Sequence, residues 1–139
     1  MGEYIPATFQ LGGKLPKQCA DKYIKLLNDQ DMRTDERDEV PSQENLGQTF
    51  YNPEINYGNT DELEYFANQL ELPWLHWFAA GPDWMPATEK RVGDRYEQCV
   101  GGFGNDLYLS ESQIKTLGMD GALELLTWMR EPLPPLEIV

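Results

Sequence analysis

The stretch from Leu72 to Pro86, LPWLHWFAAGPDWMP, constrains the fold more than any other part of the chain. It holds three of the four tryptophans, together with Phe78 and the only histidine, His76. Proline and glycine bound this aromatic run, which is too short for a stable globular helix. We therefore predict that Trp74 to Ala79 forms a central strand that is buried on both faces.

The N-terminal half of the chain predicts a strand and two helices around this centre. Apolar residues alternate from Tyr4 to Leu15, which is typical of a half-buried strand. Apolar residues at helical spacing predict one helix that begins at Pro16 and ends near Asn28. A second helix is predicted to begin near Thr60 and to end before Pro73.

The C-terminal half predicts a hairpin followed by helices. Two extended runs, Thr88 to Val92 and Arg95 to Val100, are separated by a Gly-Asp pair that suits a two-residue hairpin turn. Ser110 and Gln113 fit a capping box, and Gly118 is a stop signal for that short helix. A last helix is expected to start at Asp120.

These elements predict one α+β domain that spans residues 1–139. We expect an antiparallel or mixed sheet of four to five strands, with about three helices packed chiefly on one face. Residues 132–139 are expected to form an extended C-terminal tail. The chain shows no apolar leader and no run of about 18 apolar residues, so we expect a soluble protein of the cytoplasm, the host cytoplasm if a phage encodes it.

Residues 29–48 differ from the rest in being strongly acidic and nearly free of apolar side chains. Such a segment buries little surface, so we predict an exposed loop. Further carboxylates begin the second predicted helix, where the helix dipole favours negative charge. The candidate binding surface consists of Asp29, Asp31, Asp35, Glu36, Asp38, Glu39, Asp61, Glu62 and Glu64.

The charge balance excludes some classes of partner. Asp and Glu number 24 against 11 Lys and Arg, which gives a formal net charge of −13. Nucleic acids and anionic membranes are bound through clustered basic residues, so we expect no direct binding to either. A basic, nucleic-acid-binding host protein is the expected partner. The alternative is that the acidity serves only solubility.

No catalytic signature is present in the sequence. One histidine excludes a site with several histidine ligands, and the chain has no Cys-x-x-Cys, Gly-x-Ser-x-Gly or phosphate-loop motif. We therefore predict no enzyme activity, no cofactor and no metal site. His76, between Leu75 and Trp77, is interpreted as a hydrogen-bonded structural residue.

Three segments resemble known proteins: YIPATFQLGGKLPK at residues 4–17, DELEYFANQLELPW at 61–74 and PLPPLEIV at 132–139. They are similar to stretches of small uncharacterised proteins carried by bacteria and their mobile elements. In its small size and strong acidity the chain also resembles phage-encoded inhibitors of host defence, including anti-CRISPR proteins that imitate DNA. This resemblance implies an inhibitory role but carries no activity or site residues with it.

Three functional hypotheses remain from different classes. The first is an acidic inhibitor that occupies a basic nucleic-acid-binding surface, because carboxylates can replace phosphates in contacts with Arg and Lys. The second is an immunity-type protein that binds a basic toxin. The third is a small-molecule-binding or hydrolytic domain with an aromatic cleft around His76, Trp77, Trp84 and Tyr96.

Overall fold

The computed structural model describes residues 4–56, 58–102 and 106–139, and within them it has three helices and nine strands. The helices are α1 (Lys17–Asp29), α2 (Asp61–Gln69) and α3 (Glu111–Arg130). The strands are β1 (Tyr4–Leu11), β2 (Lys14–Leu15), β3 (Arg33–Thr34), β4 (Phe50–Asn56), β5 (Trp74–Phe78), β6 (Ala87–Val92), β7 (Arg95–Gly101), β8 (Leu107–Tyr108) and β9 (Glu137–Ile138). The α+β class is confirmed.

Seven of these strands form one antiparallel sheet in the order β3-β4-β1-β5-β6-β7-β8. The aromatic strand β5 takes the middle position, as predicted. The sheet is larger than the four to five strands expected, in part because β3 is a two-residue strand within the segment predicted to be a loop and is too short to leave a periodic pattern. Gly93, with φ of +63°, makes the predicted hairpin turn between β6 and β7.

The main core lies on one face of the sheet, beneath α1 and α2. Trp74 of β5 stacks on Phe9 of β1 with ring centroids 6.1 Å apart. Tyr23 of α1 stacks on Phe66 of α2 at 5.6 Å and meets Phe9 at 6.5 Å. Three of these four residues, Phe9, Tyr23 and Trp74, are at most 2% exposed. Aromatic burial therefore attaches both helices to the centre of the sheet.

Helix α3 packs on the opposite face, so the one-sided arrangement predicted for the helices holds only for α1 and α2. Cys99 of β7 forms a second apolar cluster with Leu125 and Met129 of α3. Because this cluster is built on β7, it covers the second face of β5 only in part. Leu75 and Trp77 are half-buried there, which corrects the prediction of a strand buried on both faces.

Two sequence signals shape α3 as predicted. Ser110 accepts a hydrogen bond from the Gln113 backbone, and the Gln113 side chain accepts one from the Ser110 backbone, which completes the capping box. Gly118 has a left-handed φ of +73° and breaks the helix into two segments.

The C-terminal tail is docked along its length. Leu133 is buried, and β9 pairs in parallel with β2 in a small second sheet. Within the described ranges, no helix combines the length and apolarity needed to cross a bilayer.

Candidate functional site

The structure exposes most of the predicted acidic surface. Eight of the nine carboxylates are exposed: Asp29, Asp31, Asp35, Glu36, Asp38, Glu39, Asp61 and Glu62. The ninth, Glu64, is half-buried and turns toward the sheet. Glu64 therefore belongs to a different site from the other eight.

Part of this surface surrounds one polar cleft between the end of α1 and the start of α2. The cleft has a volume of about 350 Å³ and is lined by Gln30, Asn56, Asn59, Asp61 and Glu62. Asp29 and Asp31 flank Gln30 in the chain. Asp61 and Glu62 thus line the same cleft as Gln30, whose chain neighbours Asp29 and Asp31 are both exposed.

Hydrogen bonds hold both sides of the cleft. The Asn52 side chain donates to the Gln30 carbonyl at 2.6 Å, which ties the end of α1 to β4. The Asn59 side chain accepts from the Asp61 backbone at 2.7 Å and orients the first turn of α2. The carboxylates here stand on an ordered backbone.

The acidic segment from residue 29 to 48 has more structure than its composition predicts. Met32 and Leu46 are each 1% exposed and anchor it in the main core. Thr34 accepts from the Glu39 backbone through its hydroxyl, and Asn45 bridges Ser42 and Val40. Its acidic stretch from Asp35 to Glu39 is exposed between these anchors.

A second site lies where α2 approaches β5 and β6. His76 of β5 pairs in register with Glu89 of β6, so their side chains share one face of the sheet. Glu64 reaches the same point from the first turn of α2. The three residues line an opening of about 390 Å³ together with Asn59, Phe78 and Tyr96, among others.

The imidazole of His76 is buried and bound at one nitrogen only. Nε2 lies 2.9 Å from the Gly58 carbonyl oxygen. A carbonyl can only accept, so Nε2 carries a hydrogen and donates it. Nδ1 has no hydrogen-bond partner among the described residues and faces Glu64 Oε2 at 3.6 Å and Glu89 Oε2 at 3.7 Å. The structural interpretation of His76 accounts for Nε2 but not for Nδ1.

The surroundings of this site favour neutral forms of nearby groups. Burial raises the pKa of the Glu64 carboxyl, although His76 and the Thr60 hydroxyl, which donates to Glu64 at 2.9 Å, act against that rise. Burial, together with the charges of Glu89 and Glu64, raises the pKa of Tyr96 to about 12. The site therefore holds acidic groups close together in a poorly solvated place, where full ionisation of all of them is unfavourable.

The structure divides the predicted aromatic cleft. His76 and Tyr96 lie on one face of the sheet and line the same opening. Trp77 follows His76 in the strand and so points to the other face. Trp84 lies in the loop after β5, where it donates to the Ala79 carbonyl at 3.1 Å and lines a separate apolar cleft of about 490 Å³.

Sequence reasoning missed Glu89 and Thr60 as members of the His76 site. Glu89 lies in a predicted strand, where successive side chains point to opposite faces of the sheet. The sequence pattern does not say which of the two faces Glu89 is on. Only the β5–β6 register places it opposite His76. One signal in the sequence could have indicated this site. His76 is a lone polar residue in an aromatic strand, and no neighbouring residue in the sequence can pair with it.

Comparisons of the chain with protein-family models, with curated proteins and with solved structures found no match.

Proposed function

We propose that this protein is an acidic protein-binding inhibitor that occupies the basic nucleic-acid-binding surface of a partner protein. The observation that carries the proposal is the cleft between α1 and α2, which Asp61 and Glu62 line on ordered backbone and whose lining residue Gln30 is flanked in the chain by the exposed Asp29 and Asp31. Carboxylates in such positions can form charge-assisted hydrogen bonds with Arg and Lys in place of phosphates.

Order in the acidic surface matters because binding costs conformational entropy. Carboxylates on a helix start or a hydrogen-bonded turn lose little freedom on binding. The stretch from Asp35 to Glu39 is exposed away from the cleft lining and is suited to attracting a partner at long range. We expect the cleft acids to set affinity and the acids from Asp35 to Glu39 to set the association rate.

Basic residues reduce the negative charge of this surface but do not make it positive. Arg33 and Arg37 are exposed within the acidic segment, where six carboxylates outnumber them between residues 29 and 39. Lys25 forms an exposed ion pair with Asp29 at 3.0 Å, and such a pair opens at little cost. The local surface therefore stays acidic, in agreement with the net charge of −13.

The proposal is tested by charge reversal at the cleft. Immobilised protein captures partners from a cell lysate at low salt, and each captured protein is then purified and measured alone. The double variant Asp61→Lys/Glu62→Lys should bind a true partner at least about tenfold more weakly, and duplex DNA or RNA should compete with the wild type. Glu64 is left unchanged because its side chain faces the interior.

The matched control is Asp83→Lys/Asp120→Lys, which makes the same change in net charge at exposed positions elsewhere. It should retain affinity close to that of the wild type. A purified partner whose binding ignores salt, nucleic acid and the cleft reversal contradicts the proposal. Equal losses in both double variants would also contradict it, since net charge alone would then explain binding.

A further inference from the structure

The His76 site brings three metal-binding side chains to one point. One nitrogen of His76 and one oxygen each from Glu64 and Glu89 lie within 4.8 Å of one another. The three residues come from β5, α2 and β6, so three separately anchored elements converge on this point. Glu64 and Glu89 side chains are 18% and 17% exposed, and that of His76 is 5% exposed.

The orientation of His76 leaves its ligating atom free. Nε2 is occupied by the Gly58 carbonyl, so Nδ1 is the atom directed at the two carboxylates. A bare Nδ1 lone pair facing two carboxylate oxygens is electrostatically unfavourable, and burial strengthens the repulsion. A proton on Nδ1 would give ion pairs with both carboxylates at 3.6 and 3.7 Å, but these distances exceed the usual N–H···O distance, so Nδ1 would still lack a hydrogen bond.

We propose that Glu64, His76 and Glu89 bind a divalent zinc ion through Nδ1 and one carboxylate oxygen from each glutamate. A cation between these atoms satisfies Nδ1 and neutralises both carboxylates at once. Histidine nitrogen and carboxylate oxygen are both ordinary zinc ligands. The site adjoins the acidic cleft, with which its opening shares Asn59 and Asp61, but none of its three ligands lines that cleft, and zinc binding does not require the inhibitory function.

The spacing of the donor atoms favours zinc over harder cations. Tetrahedral zinc, with bonds of about 2.1 Å, separates its ligand atoms by roughly 3.4 Å. Octahedral magnesium, with similar bonds, separates neighbouring ligands by roughly 3.0 Å. The distances from Nδ1 to the two carboxylate oxygens, 3.6 and 3.7 Å, lie nearer the tetrahedral value, and all three donor atoms lie within 4.8 Å of one another. Calcium is disfavoured because it takes oxygen ligands rather than imidazole.

The residues around the three ligands have the arrangement that zinc sites need. A ligating histidine usually donates its other ring N–H to a carbonyl or carboxylate, as His76 does to Gly58. The Thr60 hydroxyl donates to Glu64 at 2.9 Å and orients that carboxylate. Three protein ligands leave a fourth position for water or a small ligand, on the side of the opening lined by Asn59 and Tyr96.

Calorimetry with zinc chloride tests the site on protein that has been stripped with chelator and carries no histidine tag. Wild-type protein should bind one zinc ion and should not bind magnesium or calcium at the same concentrations. Glu64→Gln and Glu89→Gln keep side-chain size and should each weaken zinc binding by more than about 100-fold, since even outer-shell changes cost 10- to 100-fold. Circular dichroism checks that each variant is folded.

The matched control is Glu54→Gln, which removes the same charge from an exposed position on β4. Its zinc affinity should stay within about threefold of wild type, because exposed charges are screened. Zinc that binds the two site variants as tightly as the wild type would show adventitious binding by surface carboxylates, and the proposal would be wrong. Absence of zinc binding to folded wild-type protein would also overturn it.

The single histidine gives a second, independent readout. One imidazole contributes to the ¹⁵N spectrum of the chain, so its signals need no assignment. Stoichiometric zinc should shift Nδ1 strongly and leave Nε2 protonated. Cobalt in place of zinc should give the intense visible absorption of a four-coordinate ion. An unchanged imidazole spectrum in the presence of bound zinc would place the metal elsewhere and contradict the proposal.

Discussion

At the scale of single residues, two buried polar atoms that lack a hydrogen-bond partner in the described part of the chain have different consequences. His76 Nδ1 faces two carboxylates, so its missing partner indicates a ligand. The Tyr23 hydroxyl also lacks a hydrogen-bond partner among the described residues, but Tyr23 is fully buried among aromatic rings such as Phe50 and Phe66. A hydroxyl without a hydrogen-bond partner in such surroundings lowers the stability of the folded state and does not indicate a ligand.

Replacing Tyr23 with phenylalanine should therefore stabilise the protein. The change removes a buried hydroxyl that has lost its hydration, so the free energy of unfolding should rise by about 1 kcal/mol at neutral pH. Chemical denaturation of wild type and Tyr23→Phe measures this difference. The exposed Tyr65 provides the control, since Tyr65→Phe should change stability by less than about 0.5 kcal/mol. A clear loss of stability in Tyr23→Phe would show that the hydroxyl has a partner.

The same variant should differ from wild type in alkaline solution. Burial raises the pKa of Tyr23 well above its ordinary value of 10.0. Above pH 10 the unfolded tyrosine ionises while the folded one does not, so wild-type stability falls as pH rises. By pH 11 the advantage of Tyr23→Phe should grow by about 1.4 kcal/mol over its neutral value. A constant difference between the two proteins across this range would contradict the explanation.

At the scale of elements, a buried lysine secures the end of α3. Lys90 of β6 is 1% exposed, and its ammonium donates to the carbonyls of Trp128 and Glu131, the latter at 2.7 Å. The ammonium also lies 4.6 Å from the centre of the Trp128 ring. The last carbonyls of a helix have no partner within it, so Lys90 both caps α3 and ties it to the sheet.

Lys90→Met should loosen this attachment. Methionine fills similar space but removes the ammonium donor from both carbonyls and leaves that of Trp128 with only the Glu131 backbone N–H at 3.3 Å, so we expect a loss of about 1–3 kcal/mol in the free energy of unfolding. Amide hydrogen exchange should increase chiefly in the last turn of α3. Lys115, whose side chain is 74% exposed on the same helix, supplies the control Lys115→Met, with an expected change below about 0.5 kcal/mol. Equal behaviour of the two variants would argue against the capping role.

At the scale of the whole molecule, the net charge of −13 opposes compactness. Carboxylates are close together in the acidic segment and at the start of α2, and few of the described ones form ion pairs with lysine or arginine. Repulsion among them raises the free energy of the folded state, because folding brings them nearer than they are in an extended chain.

Added salt should therefore stabilise the protein. The Debye length falls from about 10 Å at 0.1 M to about 3 Å at 1 M, so repulsion between exposed carboxylates is progressively screened. The Tm should rise by several degrees as sodium chloride is raised over this range, as measured by calorimetry. Asp61→Lys/Glu62→Lys should show a smaller rise, since part of the repulsion has been removed. A Tm that stays constant or falls in both proteins would contradict this picture.

Much of the fold could be predicted because its signals are local. The hairpin turn at Gly93, the capping box at Ser110 and the break at Gly118 each depend on a few neighbouring residues. Helical spacing identified α1 and α2, and aromatic content identified β5. The strand β3 could not be predicted, because it forms only where the longer strand β4 offers free hydrogen-bonding groups.

The candidate sites, like the fold, combine features that the sequence predicts with features that only the tertiary structure decides. Composition alone determined that the surface is acidic, and the helix pattern determined that Asp61 and Glu62 begin a helix. Only the tertiary structure decided that the end of α1 meets the start of α2, that Glu64 turns inward, and that Glu89 lies opposite His76. Charge and periodicity are properties of neighbouring residues, whereas these meetings depend on strand register and helix packing, which join residues far apart in the chain.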